Sequence, residues 1–195
     1  MPTTTELASA MTGFRELIDR MEHDERFDVT YSEHPAWDRD DFTDWDDWLH
    51  RQPGLESYGT PGFVRVVYGV TGGFDLHWQY HPEGQDPVAG YAGVVSPFGL
   101  YRWDEEHETP VAELLAEPRQ FDIATEDLSA AVCLLDACGK VGSTVLRDGD
   151  RTVPLPAEIG PVEYLRQLIQ WRALDGWQRT LLGESVDRPV LPEGF

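Results

Sequence analysis

The sequence predicts an α+β fold in which a central, mostly antiparallel sheet is flanked by helices at the N- and C-terminal ends. Apolar residues recur at helical spacing near both ends of the 195-residue chain, as buried helix faces require. Between these ends, apolar and polar residues alternate with the period of a half-buried strand, and an Asp-Gly turn separates two apolar runs. Terminal helices around antiparallel strands are typical of the α+β class.

The first predicted helix spans residues 5–23. Its apolar residues are three or four positions apart, which places them on one helix face; they are Leu7, Met11, Phe14, Ile18 and Met21. In the segment that follows, from about residue 25 to 58, aromatic residues and carboxylates interleave. We interpret it as an N-terminal elaboration of a single domain covering residues 1–195, because no linker composition interrupts residues 60–180.

A second helix is predicted inside this elaboration, where Phe42, Trp45 and either Leu49 or Trp48 keep helical spacing. Aspartate is disfavoured in the middle of a helix and favoured near its N-terminus. The start of this helix is therefore better defined than its end. The carboxylates expected to face water are those of Asp40, Asp41, Asp44 and Asp47.

Residues 60–70 allow two interpretations. Thr60 and Pro61 suit an N-cap and a first helical residue, whereas the run FVRVVY that follows is rich in residues that favour strands. The next segment predicts a strand over residues 74–80, because its apolar and polar side chains alternate.

The rest of the chain combines short strands with helices. The predicted elements are one or two strands in residues 87–102, a short helix around 111–116 and a buried strand at 128–135. The turn at Asp148-Gly149-Asp150 predicts a hairpin between residues 144–147 and 151–153. The last helix begins at Pro161 and runs to about Leu174, with a further helical stretch allowed after Gly176.

The chain is strongly acidic, with 15 Lys and Arg residues against 36 Asp and Glu residues and a formal net charge of −21. A polyanion repels nucleic acids and anionic membranes, so neither is an expected partner, and it attracts cationic proteins. Adaptation to salt or low lysine usage would give the same composition without any partner, since Lys140 is the only lysine.

The cysteines and the apolar patterning predict a cytoplasmic protein. Cys133 and Cys138 lie in or just after one apolar run, which suits buried free thiols in a reducing compartment better than a secreted disulfide framework. The N-terminus lacks a basic region followed by an apolar block, and no window approaches 18 uninterrupted apolar residues.

Sequence signatures of catalysis are missing, since the chain has no GxSxG, HExxH, paired CxxC or GxGxxG motif. His77 and His81 would lie roughly 13 Å apart along a strand, too far to bind one metal ion. The carboxylates and seven tryptophans would suit a hydrolase that acts on sugars, but with so many acidic residues the sequence singles out no catalytic pair. A carboxylate hydrolase is thus our third hypothesis.

The densest acidic block holds six aspartates within residues 38–47. Such a block could mimic the phosphates that a basic toxin binds, with neighbouring tryptophans as anchors; a solvated helix face with core tryptophans is the alternative. The candidate partner-binding residues are Asp38, Asp40, Asp41, Asp44, Trp45, Asp46, Asp47, Trp48, Glu105 and Glu106.

Two stretches resemble the SUKH superfamily, which includes fungal cell-wall assembly regulators and many bacterial immunity proteins. FVRVVYGVTGGFDLHWQY at residues 63–80 is similar to the family's helix, glycine turn and strand, with Gly72, Gly73 and Trp78 at its fixed positions. VPLPAEIGPVEYLRQLIQ and the later DGWQ are similar to its C-terminal hairpin, helix and trailing Trp-Gln. The family often has asparagine at the position of Thr71, and the elaboration at 25–58 has no counterpart.

The resemblance covers roughly residues 60–180 and implies an α+β fold with no cofactor and no enzymatic activity. It also implies a helix over residues 61–70 capped by Thr60. Our first hypothesis is a cytoplasmic immunity protein that binds a cognate, cationic toxin and blocks its active or substrate site. The second is an adaptor of the same fold that binds an endogenous partner. The sequence leaves the oligomeric state open.

Overall fold

The computed structural model describes residues 4–101, 110–123, 128–193 and 195 and has an α+β architecture. Seven antiparallel strands form one sheet in which every strand lies beside its neighbours in sequence. The strands are β1 (Phe27–Glu33), β2 (Phe74–Tyr80), β3 (Val88–Val94), β4 (Arg119–Ile123), β5 (Leu128–Val132), β6 (Thr144–Asp148) and β7 (Arg151–Pro154). The α-helices are α1 (Thr4–Glu22), α2 (Arg39–His50), α3 (Gly62–Tyr68), α4 (Pro97–Tyr101), α5 (Val111–Leu114) and α6 (Pro161–Gln170).

The N-terminal helix α1 confirms the periodicity argument, since the five apolar residues that predicted it are all buried. It packs against β1, α3 and α6. Strand β2 also matches its alternation, with Phe74, Leu76, Trp78 and Tyr80 buried and Asp75 and His77 exposed. One face of the sheet and the buried faces of the helices thus both contribute to the core.

The first part of the elaboration at 25–58 is an integral strand, which sequence reasoning missed. β1 pairs with β2 along its full length, and Val29 lies opposite Trp78. The guanidinium of Arg15 on α1 donates a 2.8 Å hydrogen bond to the Glu33 carboxylate at the end of this strand. β1 lies at the edge of the sheet, and every second residue of this strand is polar and exposed. Its local composition therefore resembles that of a loop.

Residues 62–68 form helix α3 despite their strand-favouring composition, because Val64, Val67 and Tyr68 are buried on one face. The expected capping role of Thr60 is wrong. The N-cap is Pro61, without a side-chain hydrogen bond, and the Thr60 hydroxyl instead donates to the carboxylate of Asp46 on α2. The hydroxyl therefore donates to a carboxylate on another helix and accepts no N–H group at the start of α3.

In the predicted range 87–102, the described residues 87–101 contain one strand, β3, followed by helix α4, so the alternative of two strands is wrong. The predicted hairpin at Asp148-Gly149-Asp150 is confirmed by the pairing of β6 with β7. The buried strand predicted at 128–135 ends earlier, at Val132, and β4 had no predicted counterpart.

The last helix ends at Gln170, earlier than predicted, because Arg172 and Ala173 adopt positive φ angles of 56° and 54°. A 3-10 helix, Trp177–Leu182, follows. The turn binds the sheet directly, since the Trp78 indole donates a 2.8 Å hydrogen bond to the Arg172 carbonyl. A Cβ at Gly90 would lie 2.6 Å from the Ala173 carbonyl oxygen, so only glycine fits there.

Candidate partner-binding surface

Helix α2 carries the acidic block and begins at a complete capping box. One carboxylate oxygen of Asp38 accepts hydrogen bonds from the backbone N–H groups of Asp40, at 2.7 Å, and Asp41, at 3.0 Å. The Asp41 carboxylate in turn accepts the Asp38 backbone N–H at 2.8 Å. Two of the six aspartates therefore fix the helix start, where the helix dipole also favours negative charge.

Asp40, Asp44 and Asp47 face solvent on the side of α2 opposite its buried residues, Phe42, Trp45 and Leu49. Their spacing of four and three positions puts them on one helix face. None of the three carboxylates has an ion pair or side-chain hydrogen bond with any residue that the structure describes. They form a row of negative charge on one face of α2 that no described side chain neutralises.

Asp46 differs from its neighbours because it holds α2 against α3. Its carboxylate pairs with the guanidinium of Arg65 and accepts the Thr60 hydroxyl. The guanidinium of Arg65 also lies 5.2 Å from the centre of the Phe42 ring. Asp46 is thus half-buried, and its carboxylate is engaged with a second helix, unlike those of Asp40, Asp44 and Asp47.

Trp45 is a core residue, only 6% exposed. Its ring stacks on Trp48 at 4.7 Å between centroids and meets the Tyr101 ring edge to face at 5.1 Å. Trp45 was expected to contact a partner, but in this conformation its side chain is too buried to do so. Trp48 is half-buried and lies at the border of the core.

Phe98 is the surface residue that sequence reasoning missed. It is 54% exposed, although its ring lies 5.6 Å from that of Trp37 and 5.5 Å from that of Trp45. It stands on α4, a helix of five residues in a stretch that predicted strands. No local sequence pattern predicts that this phenylalanine belongs to the surface, because the rings that it contacts lie at residues 37–45, far away in the sequence.

We call the combined region the acidic aromatic surface. Its members are at least partly exposed and lie on α2, at its N-cap or against its aromatic residues; they are Asp38, Asp40, Asp41, Asp44, Asp47, Trp37, Trp48 and Phe98. The other two predicted contacts, Glu105 and Glu106, lie outside the described residues. Carboxylates beside aromatic rings can accept arginine or lysine side chains by ion pairing and by cation–π contact.

The carboxyl group with the most perturbed environment lies elsewhere, in the core. Asp122 is fully buried, and burial raises its pKa to about 6. It accepts hydrogen bonds from the Tyr164 hydroxyl and the Gly93 backbone N–H. Burial also raises the pKa of Asp175. Without solvent access, Asp122 cannot touch a substrate in this conformation.

His77 on β2 and His81, one residue beyond its end, are both exposed. The His81 ring lies 2.8 Å from the carboxylate of Asp28 on the adjacent strand. In the part of the chain that the structure describes, no group of three or more His, Cys, Asp or Glu side chains is placed to hold a metal ion.

Comparison of the chain with family models, curated proteins and solved structures gave no match. Among the described residues, no helix is both long enough and apolar enough to cross a membrane.

Proposed function

We propose that this chain is a non-enzymatic immunity protein of the SUKH type, which binds a cationic toxin through the acidic aromatic surface and blocks the toxin's active or substrate site. The observation that carries the proposal is the row formed by Asp40, Asp44 and Asp47, which has no compensating cation among the described residues and lies on a capped helix. The exposed ring of Phe98 beside the same helix supplies an apolar contact.

The physical logic combines two effects. Uncompensated carboxylates on a chain of net charge −21 accelerate encounter with a basic protein, and this steering weakens as salt rises. Aromatic residues that become fully desolvated then slow dissociation. Fast capture and slow release are the properties that neutralising a toxin requires.

The test compares two triple variants of the full chain that lose the same charge. Asp40→Asn, Asp44→Asn and Asp47→Asn remove the negative row. Glu16→Gln, Asp19→Asn and Glu22→Gln on the exposed side of α1 are the matched control, since those residues are also exposed. Each chain is used to capture proteins from a lysate of the source cells at low salt, and bound proteins are identified by mass spectrometry as salt is raised.

The expected result is one basic protein that binds the unmodified chain and the α1 control with equal affinity. The same protein should bind the α2 variant at least tenfold more weakly. That protein should be toxic when expressed alone and harmless when expressed together with this chain. A partner that binds all three chains equally would remove α2 from the interface. A partner that is not toxic would favour an adaptor function of the same surface.

A further inference from the structure

The two cysteines of the chain lie next to each other in space. Cys133 follows the last residue of β5, and Cys138 ends the 3-10 helix Asp136–Cys138. The Cys133 thiol donates a 3.3 Å hydrogen bond to the Cys138 carbonyl, which places its sulfur against the backbone of Cys138. Both are free thiols in this structure.

The backbone holds this pair in place. The Cys133 carbonyl accepts the Gly142 N–H at 2.9 Å, and its N–H bonds to the Ser143 carbonyl at 3.0 Å. Gly139 has a φ angle of 137°, a conformation that favours glycine, and it turns the chain directly after Cys138. Two thiols fixed at opposite ends of so short a turn have a high effective concentration for each other.

We propose that Cys133 and Cys138 form a reversible intramolecular disulfide when the folded protein meets a low-molecular-weight disulfide such as oxidised glutathione. The half-buried Cys138 thiolate attacks one glutathione sulfur, which forms a mixed disulfide and releases one glutathione thiolate. The buried Cys133 thiolate then attacks the Cys138 sulfur and releases the second glutathione. The two thiol protons end on two glutathione molecules, and two electrons reduce the glutathione disulfide.

The exposure of the two thiols sets this order. Cys133 is 2% exposed, whereas Cys138 is partly accessible. A bulky reagent therefore reaches Cys138 first, and the shielded Cys133 resolves the mixed disulfide. Burial and the neighbouring Cys133 thiol raise the pKa of Cys138 to about 11. The reactive thiolate is therefore scarce at neutral pH, and its fraction rises about tenfold with each pH unit until the pH reaches that pKa.

The pair also adjoins the support of the acidic aromatic surface. The carbonyl of Leu134, the residue after Cys133, accepts a 3.4 Å hydrogen bond from the Tyr58 hydroxyl. The Tyr58 oxygen lies 3.2 Å from that of Tyr101, which packs edge to face against Trp45. Disulfide formation would therefore act on a turn that contacts the aromatic support of α2.

The test treats the folded, full-length chain with oxidised glutathione from about pH 7 to about pH 10, over which the Cys138 thiolate fraction rises. Remaining thiols are alkylated after denaturation and counted by intact mass. The unmodified chain is expected to lose both alkylatable thiols without gaining glutathione, at a rate that rises about tenfold per pH unit. Dithiothreitol should restore both thiols.

Single serine variants separate the two roles. Cys133→Ser should accumulate a stable glutathione adduct at Cys138, because the resolving thiol is gone. Cys138→Ser should stay reduced at Cys133, which is shielded. Circular dichroism of each chain checks that it is folded. The proposal is overturned if the unmodified chain accumulates the adduct, forms intermolecular dimers, or keeps both thiols reduced at a pH where Cys133→Ser reacts.

Discussion

The hydroxyl of Tyr164 donates a 2.6 Å hydrogen bond to the carboxylate of Asp122, and neither side chain is exposed. This pair links α6 to β4 inside the core. Burial raises the pKa of Asp122 from 3.8 to about 6, although the hydrogen bonds from Tyr164 and Gly93 oppose the rise. A carboxyl group whose pKa is raised by folding favours the folded state at low pH. That contribution is lost as pH rises through the folded pKa.

Asp122→Asn should remove this pH dependence. The buried oxygen of the Gln178 amide has no hydrogen-bond partner among the described residues, so a rotated Gln178 can accept from the new amide. A shift of roughly two pKa units corresponds to about 3 kcal/mol, so the variant should gain up to that amount relative to the unmodified chain between about pH 4 and pH 7. Urea unfolding across this range measures the difference. A difference that stays constant with pH would contradict the assignment.

Trp45 and Phe98 touch each other but should differ in their contribution to stability. Trp45 is 6% exposed and Phe98 is 54% exposed. Trp45→Ala leaves a cavity in the aromatic core and should cost about 3–5 kcal/mol, whereas Phe98→Ala should cost less than about 1 kcal/mol. Chemical denaturation of both variants checks this. Equal losses would mean that Phe98 is a core residue and not a contact residue.

Asp46 and Asp47 are adjacent, yet only Asp46 is expected to contribute to folding. Asp46→Asn removes the ion pair with Arg65 and should lower the free energy of unfolding by about 1 kcal/mol, a modest amount because both side chains are partly solvated. Asp47→Asn should be neutral or slightly stabilising, since it reduces repulsion in an acidic chain. Thermal unfolding at low and high salt compares them, and the Asp46 effect should shrink with salt.

Two glycines should respond to alanine in opposite directions. Gly90→Ala places a methyl group against the Trp78 indole and the Ala173 carbonyl, and should destabilise the fold by at least about 2 kcal/mol. Gly13 lies in α1 with open space where its Cβ would be. Gly13→Ala should therefore stabilise the protein by about 0.5–1 kcal/mol. A tolerated Gly90→Ala would show that the turn at Arg172 can move away from β3.

The sequence by itself determined the fold class, α1, β2, the hairpin of β6 and β7, and the start of α6. Each depends on a pattern contained within a few residues, such as the alternation in β2 or Pro161 at the first position of α6. The burial of Phe42 and Trp45 also followed from helical spacing, whereas the structure decided between Leu49, which is buried, and Trp48. The exposed position of Asp40, Asp44 and Asp47 followed from the same periodicity.

Only the tertiary structure decided which carboxylate of the acidic block is bound by another helix. Helical spacing leaves Asp46 out of the water-facing set, but its partners come from elsewhere in the chain, because Arg65 and Thr60 approach one side of α2. The helical state of FVRVVY depends on burial against α6 and α1 and not on its own propensity. The exposure of Phe98 beside Trp37 likewise depends on how separate elements pack. Local composition does not encode those contacts.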